Sequence, residues 1–408
     1  MRKIPTILVA LGAVLIRVET GWAQLNNSAF VSPRPGQERC SDADCFNDAW
    51  YQAVADNALA PQDSDIRVSL NAFTFFKNNE YFNKIIEGRT LLGTQINPQL
   101  VYYPTKDLRL EAGVFLWKDF GNSVLRQVRP TYRATYTVRR HQFILGNIRP
   151  HLNHNYIEPL LNFERLMLNP LEEGLQYRYL GKRLALDVWV NWQRQQYRYS
   201  NYQEELAGGF SSSYRLGGDN SRWQVLLPLQ FTATHSGGQI DTLDKPLQTL
   251  FNGAVGLDAR RKLNGPTIQV LRFSGYVLGF DDYSPTKGQL PFKYGRGLYL
   301  NTTLETRYLN VMLSYWRGSR FISPLGGDLY QGLSRTIADP TFIDRDRRLL
   351  LVRLLRDFRI GDATALTVRV EPVYDFNAKL LDFSFGVYLN FRQEWLLGNA
   401  GRSVRVGQ

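Results

Sequence analysis

The segment of this sequence in which ligand-type side chains lie closest together is "GNIRPHLNHNYIEPLLNFERLMLNPLEEG", residues 146–174. It contains His151 and His154, three residues apart, followed by Glu158 and Glu164. Imidazole and carboxylate groups are the donors that zinc accepts. Prolines at positions 150, 159 and 170 prevent one regular helix from presenting these side chains together. No tight ligand motif is present, so we predict a long loop and no metal or other cofactor.

A second pattern with chemical meaning is "VRPTYRATYTVRR", residues 128–140. In a strand, successive side chains point to opposite faces. Arg129, Arg133 and Arg139 then lie on one face, and the other face is apolar and aromatic. Guanidinium groups suit anion recognition and ion-pair networks. The architecture decides which of the two faces is enclosed.

The rest of the chain shows the same alternation. From Ile66 to Trp395 about 16 stretches of 9–16 residues have an apolar face and a polar face, separated by turn residues. Three of them are weak: those near Phe210 and Leu250 alternate poorly, and "RRLLLVRLLRDFRIG" also fits a helix by pattern alone. We predict an all-β chain of 16 strands, with 14 as the alternative.

The connections between the stretches are sorted by parity. Those that follow even-numbered strands are tight turns, such as "LGKR" and "KLNG", whereas most that follow odd-numbered strands are long. Short turns at one end and long loops at the other are typical of an up-and-down antiparallel barrel in an outer membrane. A soluble barrel of this size would enclose more space than side chains fill. We therefore predict a transmembrane β-barrel with its apolar faces towards lipid and its arginines towards the lumen.

The N-terminus is unlike the rest. Residues 1–23 have the basic start, apolar stretch and small-residue cleavage site of a secretory signal peptide. Residues 24–65 form a predicted periplasmic segment with a short helix and a disulfide between Cys40 and Cys45, because an exported chain meets an oxidising compartment. The barrel is predicted over residues 66–395 and a C-terminal tail over residues 396–408.

On these features the chain resembles the porin-like outer-membrane β-barrels of Gram-negative bacteria. The resemblance covers Ile66 to Trp395 and includes the aromatic final strand "FSFGVYLNF". Such barrels usually end at that strand, whereas this chain continues from Leu396 to Gln408. The resemblance implies a cell outer membrane location and a diffusion channel.

The polar strand faces supply the candidate channel residues. Charged rings set the selectivity of a pore, and an arginine excess favours anions. The net charge of +12 has the same sign. Each arginine has the alternative role of pairing with a wall carboxylate. The predicted lumen-facing set is Arg109, Glu111, Arg129, Arg133, Arg139, Arg178, Asp187, Glu305, Arg307, Arg369 and Glu371.

We accordingly predict passive diffusion of small polar or anionic solutes, with His151, His154, Glu158 and Glu164 in a loop that constricts the lumen or contacts a ligand. The predicted partners are outer-membrane lipid, lipopolysaccharide and the solutes. Nucleic acid is not among them, because the chain is predicted to be exported. One alternative is a non-channel barrel that acts as an adhesin or as an accessory subunit of a secretion or assembly machine.

A less favoured alternative is a lipid hydrolase with a serine–histidine pair on its lipid-facing surface. Histidine is scarce, and Ser236 beside His235 lacks the nucleophile-elbow pattern. A nucleophile needs a base and an orienting group together. The sequence therefore predicts that the chain is not an enzyme.

Overall fold

The computed structural model describes residues 61–149, 154–217, 222–241, 243–263, 265–286, 288–360 and 363–401. The predicted signal peptide, N-terminal helix and Cys40–Cys45 disulfide, together with His151, lie outside these residues. The described part of the chain is mostly strand, with one short α-helix, α1 (Arg165–Leu168), and one 3-10 helix, Asp328–Tyr330. Among the described residues no helix is long and apolar enough to cross a membrane.

Sixteen strands form the wall, as the alternation predicted. The strands are β1 (Asp65–Glu80), β2 (Arg89–Thr105), β3 (Leu108–Asp119), β4 (Gln127–Val138), β5 (His141–Asn147), β6 (Glu173–Leu180), β7 (Leu184–Arg194), β8 (Glu205–Leu216), β9 (Gln224–Ser236), β10 (Gln248–Lys262), β11 (Ile268–Asp282), β12 (Tyr294–Thr306), β13 (Asn310–Ser319), β14 (Asp346–Ile360), β15 (Thr364–Asp375) and β16 (Leu380–Asn399).

Every strand pairs antiparallel with its neighbours in sequence, and β16 pairs with β1 to close the barrel. The stretch that fitted a helix by pattern is β14, because both of its edges pair with strands. The closing strand is longer than predicted. Asn399 pairs with Asp65, so the barrel takes up four residues of the predicted C-terminal tail.

The apolar face of each strand points outward. On β3, the outward-facing Leu110 and Val114 are 36% and 41% exposed, whereas the next residues, Glu111 and Phe115, face inward and are 5% and 4% exposed. An outward apolar band and an inward polar face are the arrangement that lipid requires. The long connections all lie at one end of the barrel, which is the outer end by the same rule.

In the periplasmic half of the wall, side chains of opposite charge form ion pairs on the lumen face. Arg109 contacts Glu111 at 3.0 Å and Glu394 at 2.8 Å, and Arg133 reaches Glu111 at 3.3 Å. Arg272 holds Asp258 at 2.8 Å, with both side chains almost fully buried. Burial of charge is tolerated here because each group has a partner of opposite sign.

In the outer half, two loops fold into the lumen. We call residues 148–149 and 154–172 the first inner segment and residues 320–345 the second inner segment. They bond to each other, because the Asn162 amide donates to the Leu325 carbonyl at 2.7 Å and the Gly327 amide donates to the Glu158 carbonyl at 2.9 Å. The lumen of this half is therefore occupied by the chain itself.

The inner segments carry an apolar surface that packs on the wall. Ile157, Leu160 and Met167 of the first segment and Phe321 and Tyr330 of the second are buried in one hydrophobic cluster. The wall contributes inward aromatic side chains at this level, and burial of such large rings supplies much of the packing energy. These wall residues are Phe75, Phe115, Trp117, Trp189, Tyr276, Tyr299, Trp316 and Tyr388.

The first inner segment leaves the wall at the end of β5, one of the two shortest strands. Gly146 there has φ of +95°, and an added Cβ would lie 2.5 Å from the carbonyl oxygen of Tyr132. Only glycine tolerates both the left-handed backbone and this close approach. Asn147 then accepts a hydrogen bond from the Tyr132 amide at 2.8 Å, which fixes the point where the chain turns inward.

The Arg272–Asp258 pair gives a test of the enclosed lumen. We expect Asp258→Ala to lower the free energy of unfolding by about 3–5 kcal/mol, because it leaves a buried guanidinium without its counter-charge. Urea unfolding in liposomes, followed by tryptophan fluorescence, measures the change.

The double variant Asp258→Leu/Arg272→Met is the matched control and should recover most of the loss. Arg317→Ala, which removes the exposed Arg317–Asp346 pair at the outer rim, should change little. An Asp258→Ala protein as stable as the unmodified one would contradict the buried pair.

Candidate active site

A polar cavity of about 400 Å³ opens at the outer mouth of the barrel. It lies between α1 with the residues that follow it and the outer ends of five strands, β3, β4, β6, β7 and β8. Three arginines line it, Arg126, Arg129 and Arg165, together with Glu173 and Glu205. Such a grouping of planar cations suits a phosphate or carboxylate ligand.

The cavity arginines are held by neighbours that leave them in its lining. The Arg126 guanidinium lies 4.2 Å from the centre of the Trp117 ring and donates to Asp119 at 3.0 Å. Arg129 forms an ion pair with Glu173. Arg165 is 3.9 Å from Glu172. Prior positioning of cationic groups lowers the cost of ordering them around an anion.

Of the predicted lumen-facing residues, Arg129 lines this cavity and most others form wall pairs. Arg178 is 3.7 Å from Asp187, Glu305 is 3.6 Å from Arg260, and Arg369 donates to Glu371. Two expectations about strand position are wrong. Arg139 lies in the turn after β4, with φ of +53°, and Arg307 lies in the turn after β12, because both hairpins begin one residue earlier than the alternation suggests.

Three of the predicted loop residues are described, and all three lie inside the barrel. Glu158 accepts hydrogen bonds from Tyr330 and Arg353, and so joins the first inner segment to the second and to the wall. Glu164 contacts Asn79 at 2.7 Å, Lys77 at 3.2 Å and also Arg89. Burial alone would raise the pKa of Glu164, but the cations Lys77 and Arg89 lower it to about 2.

His154 is completely buried. Its ring lies 4.5 Å from the Trp189 ring, Nε2 is 2.9 Å from Glu172, and Nδ1 is 3.4 Å from Asp187. Burial on its own would lower the pKa of His154, but Asp187 and Glu172 outweigh it and raise the value to about 9. The two inner segments together form a plug in the outer half of the lumen. His154 is a charged, fully buried residue of this plug, and no substrate reaches it.

No group of three or more His, Cys, Asp or Glu side chains suited to a metal ion occurs among the residues that the structure describes. The described histidine and carboxylates of the first inner segment are engaged with protein partners instead. These contacts stabilise the two inner segments within the lumen.

A different histidine lies where a membrane lipid can reach it. His235 is on the lipid-facing side of β9, at its outer end, and its Nδ1 is 2.9 Å from Oγ1 of Thr249 on β10. The two residues are direct partners in the register of this strand pair. A hydroxyl within hydrogen-bond distance of an imidazole is the minimal nucleophile–base arrangement.

The pair and the polar cavity lie on opposite faces of the wall at its outer end, and the strand register of β8 and β9 relates them. Glu205, on the cavity lining, pairs with Ser236, the residue after His235. Ser236 itself belongs to the lumen-facing side of β9, because alternate residues face opposite ways. Sequence reasoning tested Ser236 as the partner of His235 and missed Thr249, which is 14 residues away and becomes adjacent only through strand register.

Comparison with known proteins was made for both sequence and structure. The family model described as "Lipid A 3'-O-deacylase-type" matches residues 58–400. A search of curated protein sequences finds no significant match.

Three solved outer-membrane barrels illustrate the structural similarity. OprD of Pseudomonas aeruginosa has 10% identity and a TM-score of 0.49, over 83% of this chain and 96% of that one. A loop-deletion mutant of OmpT of Vibrio cholerae has 10% identity and a TM-score of 0.48, over 81% and 100%. OpdR of Pseudomonas aeruginosa has 11% identity and a TM-score of 0.47, over 83% and 99%. Similarities this distant carry no argument about function.

The predicted outer-membrane barrel is confirmed, and its location is the outer membrane. The prediction that the chain is not an enzyme is wrong, because the family model that covers most of it is that of an enzyme family. That prediction rested on the missing elbow around Ser236, and it did not consider a threonine supplied by the next strand.

The His154 site predicts a pH dependence. Its pKa in the folded chain is above the unfolded value of about 6.5, so the stabilisation is complete below pH 6.5 and is lost as the pH rises to about 9. The difference in unfolding free energy between the unmodified protein and His154→Gln should therefore shrink by roughly 3 kcal/mol between pH 6 and pH 9.5.

Urea unfolding of both proteins at several pH values measures this difference. Ser314→Ala, a substitution without a titrating group at another buried lumen position, is the control and should give a difference that is constant over pH. A His154→Gln difference that is constant over this pH range would rule out the charged histidine.

Proposed function

Since the chain belongs to the lipid A 3′-O-deacylase-type family, we propose that it is an outer-membrane esterase that removes an acyl chain from a glycolipid of the lipid A class. The observation that carries the proposal is the hydrogen bond between His235 and Thr249 on the lipid-facing outer rim. An ester-linked chain of an outer-leaflet lipid meets the barrel at this level.

The atoms of the proposed reaction come from the pair, the ester and water. The Thr249 hydroxyl attacks the ester carbonyl while His235 takes its proton. The sugar oxygen leaves with that proton, and the acyl group stays on Thr249. Water, deprotonated by His235, then cleaves this second ester, which releases a fatty acid and restores the hydroxyl.

The polar cavity accounts for recognition of the headgroup. Lipid A is a phosphorylated and acylated glucosamine disaccharide, so it presents anionic groups next to its esters. Arg126, Arg129 and Arg165 supply matching cations. Glu205 links the cavity to the strand pair that holds His235. A headgroup held by the arginines thus places its acyl chains over the lipid-facing rim.

Single substitutions test the proposed pair. His235→Gln should lower the rate of deacylation by at least about 100-fold, the usual contribution of a general base. Thr249→Val removes the nucleophile and should lower the rate at least as far. Thr249→Ser retains a hydroxyl and should retain activity. The measurement is mass spectrometry of lipid A from proteoliposomes, scored as loss of one acyl chain.

Ser236→Ala is the matched control, because Ser236 adjoins His235 but faces the lumen. Heat-modifiable migration on gels verifies that each variant is folded. An unmodified, folded protein that leaves lipid A intact would refute the proposed function, and full activity of His235→Gln would refute the assignment of the pair.

Passage of small polar or anionic solutes, with selectivity set by the lumen arginines, stays a prediction, and so does a role as adhesin or assembly subunit. The inner segments fill the outer half of the lumen, and wall residues such as Arg109, Asp187 and Arg369 are buried. Buried charges do not form the wet surface that conduction requires. These observations support the esterase over the channel.

A planar-bilayer recording separates the two functions. We expect no lasting conductance from the unmodified protein, because the inner segments exclude ions. Replacement of residues 158–168 by a flexible glycine–serine linker should open the lumen and give a stable conductance. The same replacement at residues 197–203, an outer loop, is the control and should stay silent. Stable conductance of the unmodified protein would favour the channel.

A further inference from the structure

The lipid-facing wall has an apolar groove of about 450 Å³ across β4 to β7, and its lower edge borders the periplasmic ends of β4 and β5. Strand register arranges its lining as two rows that cross β4 to β7. The upper row is Ala134, Leu145, Leu175 and Val190, and the lower row is Tyr136, Phe143, Tyr177 and Val188.

The groove forms where one small side chain interrupts a row of large ones. Ala134 lies beside Leu145, which is 55% exposed, and above Tyr136 and Phe143, which are 47% and 48% exposed. The strands next to it, β5 and β6, are the two shortest in the wall. A flat barrel face has no such recess, so this one has the shape to hold an acyl chain in a fixed position.

Basic residues stand directly below the groove in the periplasmic turns. The turn from β4 to β5 holds Arg139 and Arg140, and the turn from β6 to β7 holds Lys182 and Arg183. Within the described chain no carboxylate lies in ion-pair distance of Arg139, Lys182 or Arg183. The neighbouring turn, from β2 to β3, adds one charge of each sign, Lys106 and Asp107.

Backbone hydrogen bonds hold these turns side by side. The Leu180 amide donates to the Arg140 carbonyl at 3.0 Å, and the Arg215 amide donates to the Arg183 carbonyl at 2.7 Å. The backbone segments that carry the basic residues of two hairpins and of β8 therefore lie next to one another. We call these residues the basic cluster.

Aromatic and polar atoms lie between the groove and the basic cluster. Nδ1 of His141 is 2.8 Å from the Tyr177 hydroxyl, and the His141 ring is 5.1 Å from the Tyr179 ring. Amphipathic rings at this depth mark the boundary between hydrocarbon and headgroups. From the membrane interior towards the periplasm, this surface thus presents an apolar groove, then interfacial rings, then cations. A phospholipid has the matching order of acyl chain, interfacial ester region and phosphate.

We propose that this surface is a binding site for an anionic glycerophospholipid of the periplasmic leaflet, with an acyl chain in the groove and its phosphate on Arg139, Lys182 and Arg183. Charge complementarity selects an anionic headgroup over a zwitterionic one. The site is at the periplasmic end, so its occupant differs from the outer-leaflet glycolipid of the proposed esterase. Neither proposal requires the other.

Native mass spectrometry of the full-length refolded protein tests the site with two probes of equal chain length, dioleoyl phosphatidylglycerol and dioleoyl phosphatidylcholine. The unmodified protein should retain phosphatidylglycerol more strongly. The triple variant Arg139→Gln/Lys182→Gln/Arg183→Gln should weaken that retention at least tenfold, since each cation near a lipid surface contributes roughly fivefold. Ala134→Phe, which fills the groove, should weaken it with the cations intact.

Two controls match these changes. Arg307→Gln removes a cation from the turn after β12, and Gly279→Phe adds a ring on the lipid-facing wall where a new Cβ meets no atom within 4 Å. Both should bind as the unmodified protein does. Equal retention of the two lipids, or unchanged retention in both the triple variant and Ala134→Phe, would overturn the site. Heat-modifiable migration verifies folding throughout.

Discussion

The width of a closed sixteen-strand wall is the constraint on which the rest of this structure depends. Lipid demands an apolar outer face and a wall without open edges. Closure of so many strands leaves an interior that wall side chains alone do not fill. Here the two inner segments occupy the outer half, and paired charges line the inner half. The position of the polar cavity follows from this filling of the lumen, because the cavity is the space left between α1 and the wall.

Strand alternation was enough to predict the barrel, the sixteen strands and the direction of the apolar faces. It failed where the inward face changes character along a strand. On β3 the same face runs from Arg109 and Glu111 to Phe115 and Trp117, and the aromatic end packs on the plug. That change is visible in the sequence. Inward tryptophans at the outer end of a water-filled lumen would expose apolar surface to water, so this pattern indicates loops inserted at that level.

The candidate active site was less accessible to sequence reasoning. His235 was noticed, but its partner is set by the register of β9 and β10 rather than by distance along the chain. The arginines of the cavity come from β4, from the loop before it and from α1, and they converge only because the first inner segment folds back into the mouth. The alternation placed Arg139 and Arg307 on strands, but each lies in a hairpin turn, because a turn ends the strand before it.

The contact between the two inner segments has a consequence for the order of assembly. Asn162 and Leu325 are joined by a hydrogen bond but are far apart in the chain, and such pairings are slow because loop closure must come first. The first inner segment alone leaves its apolar side chains and the amide of Asn162 without these partners, so the lumen is filled only when both segments are inside it. The second segment leaves the wall between β13 and β14, in the same third of the chain that supplies β16, whose pairing with β1 closes the barrel. Filling of the lumen and closure of the wall therefore depend on the same stretch of polypeptide.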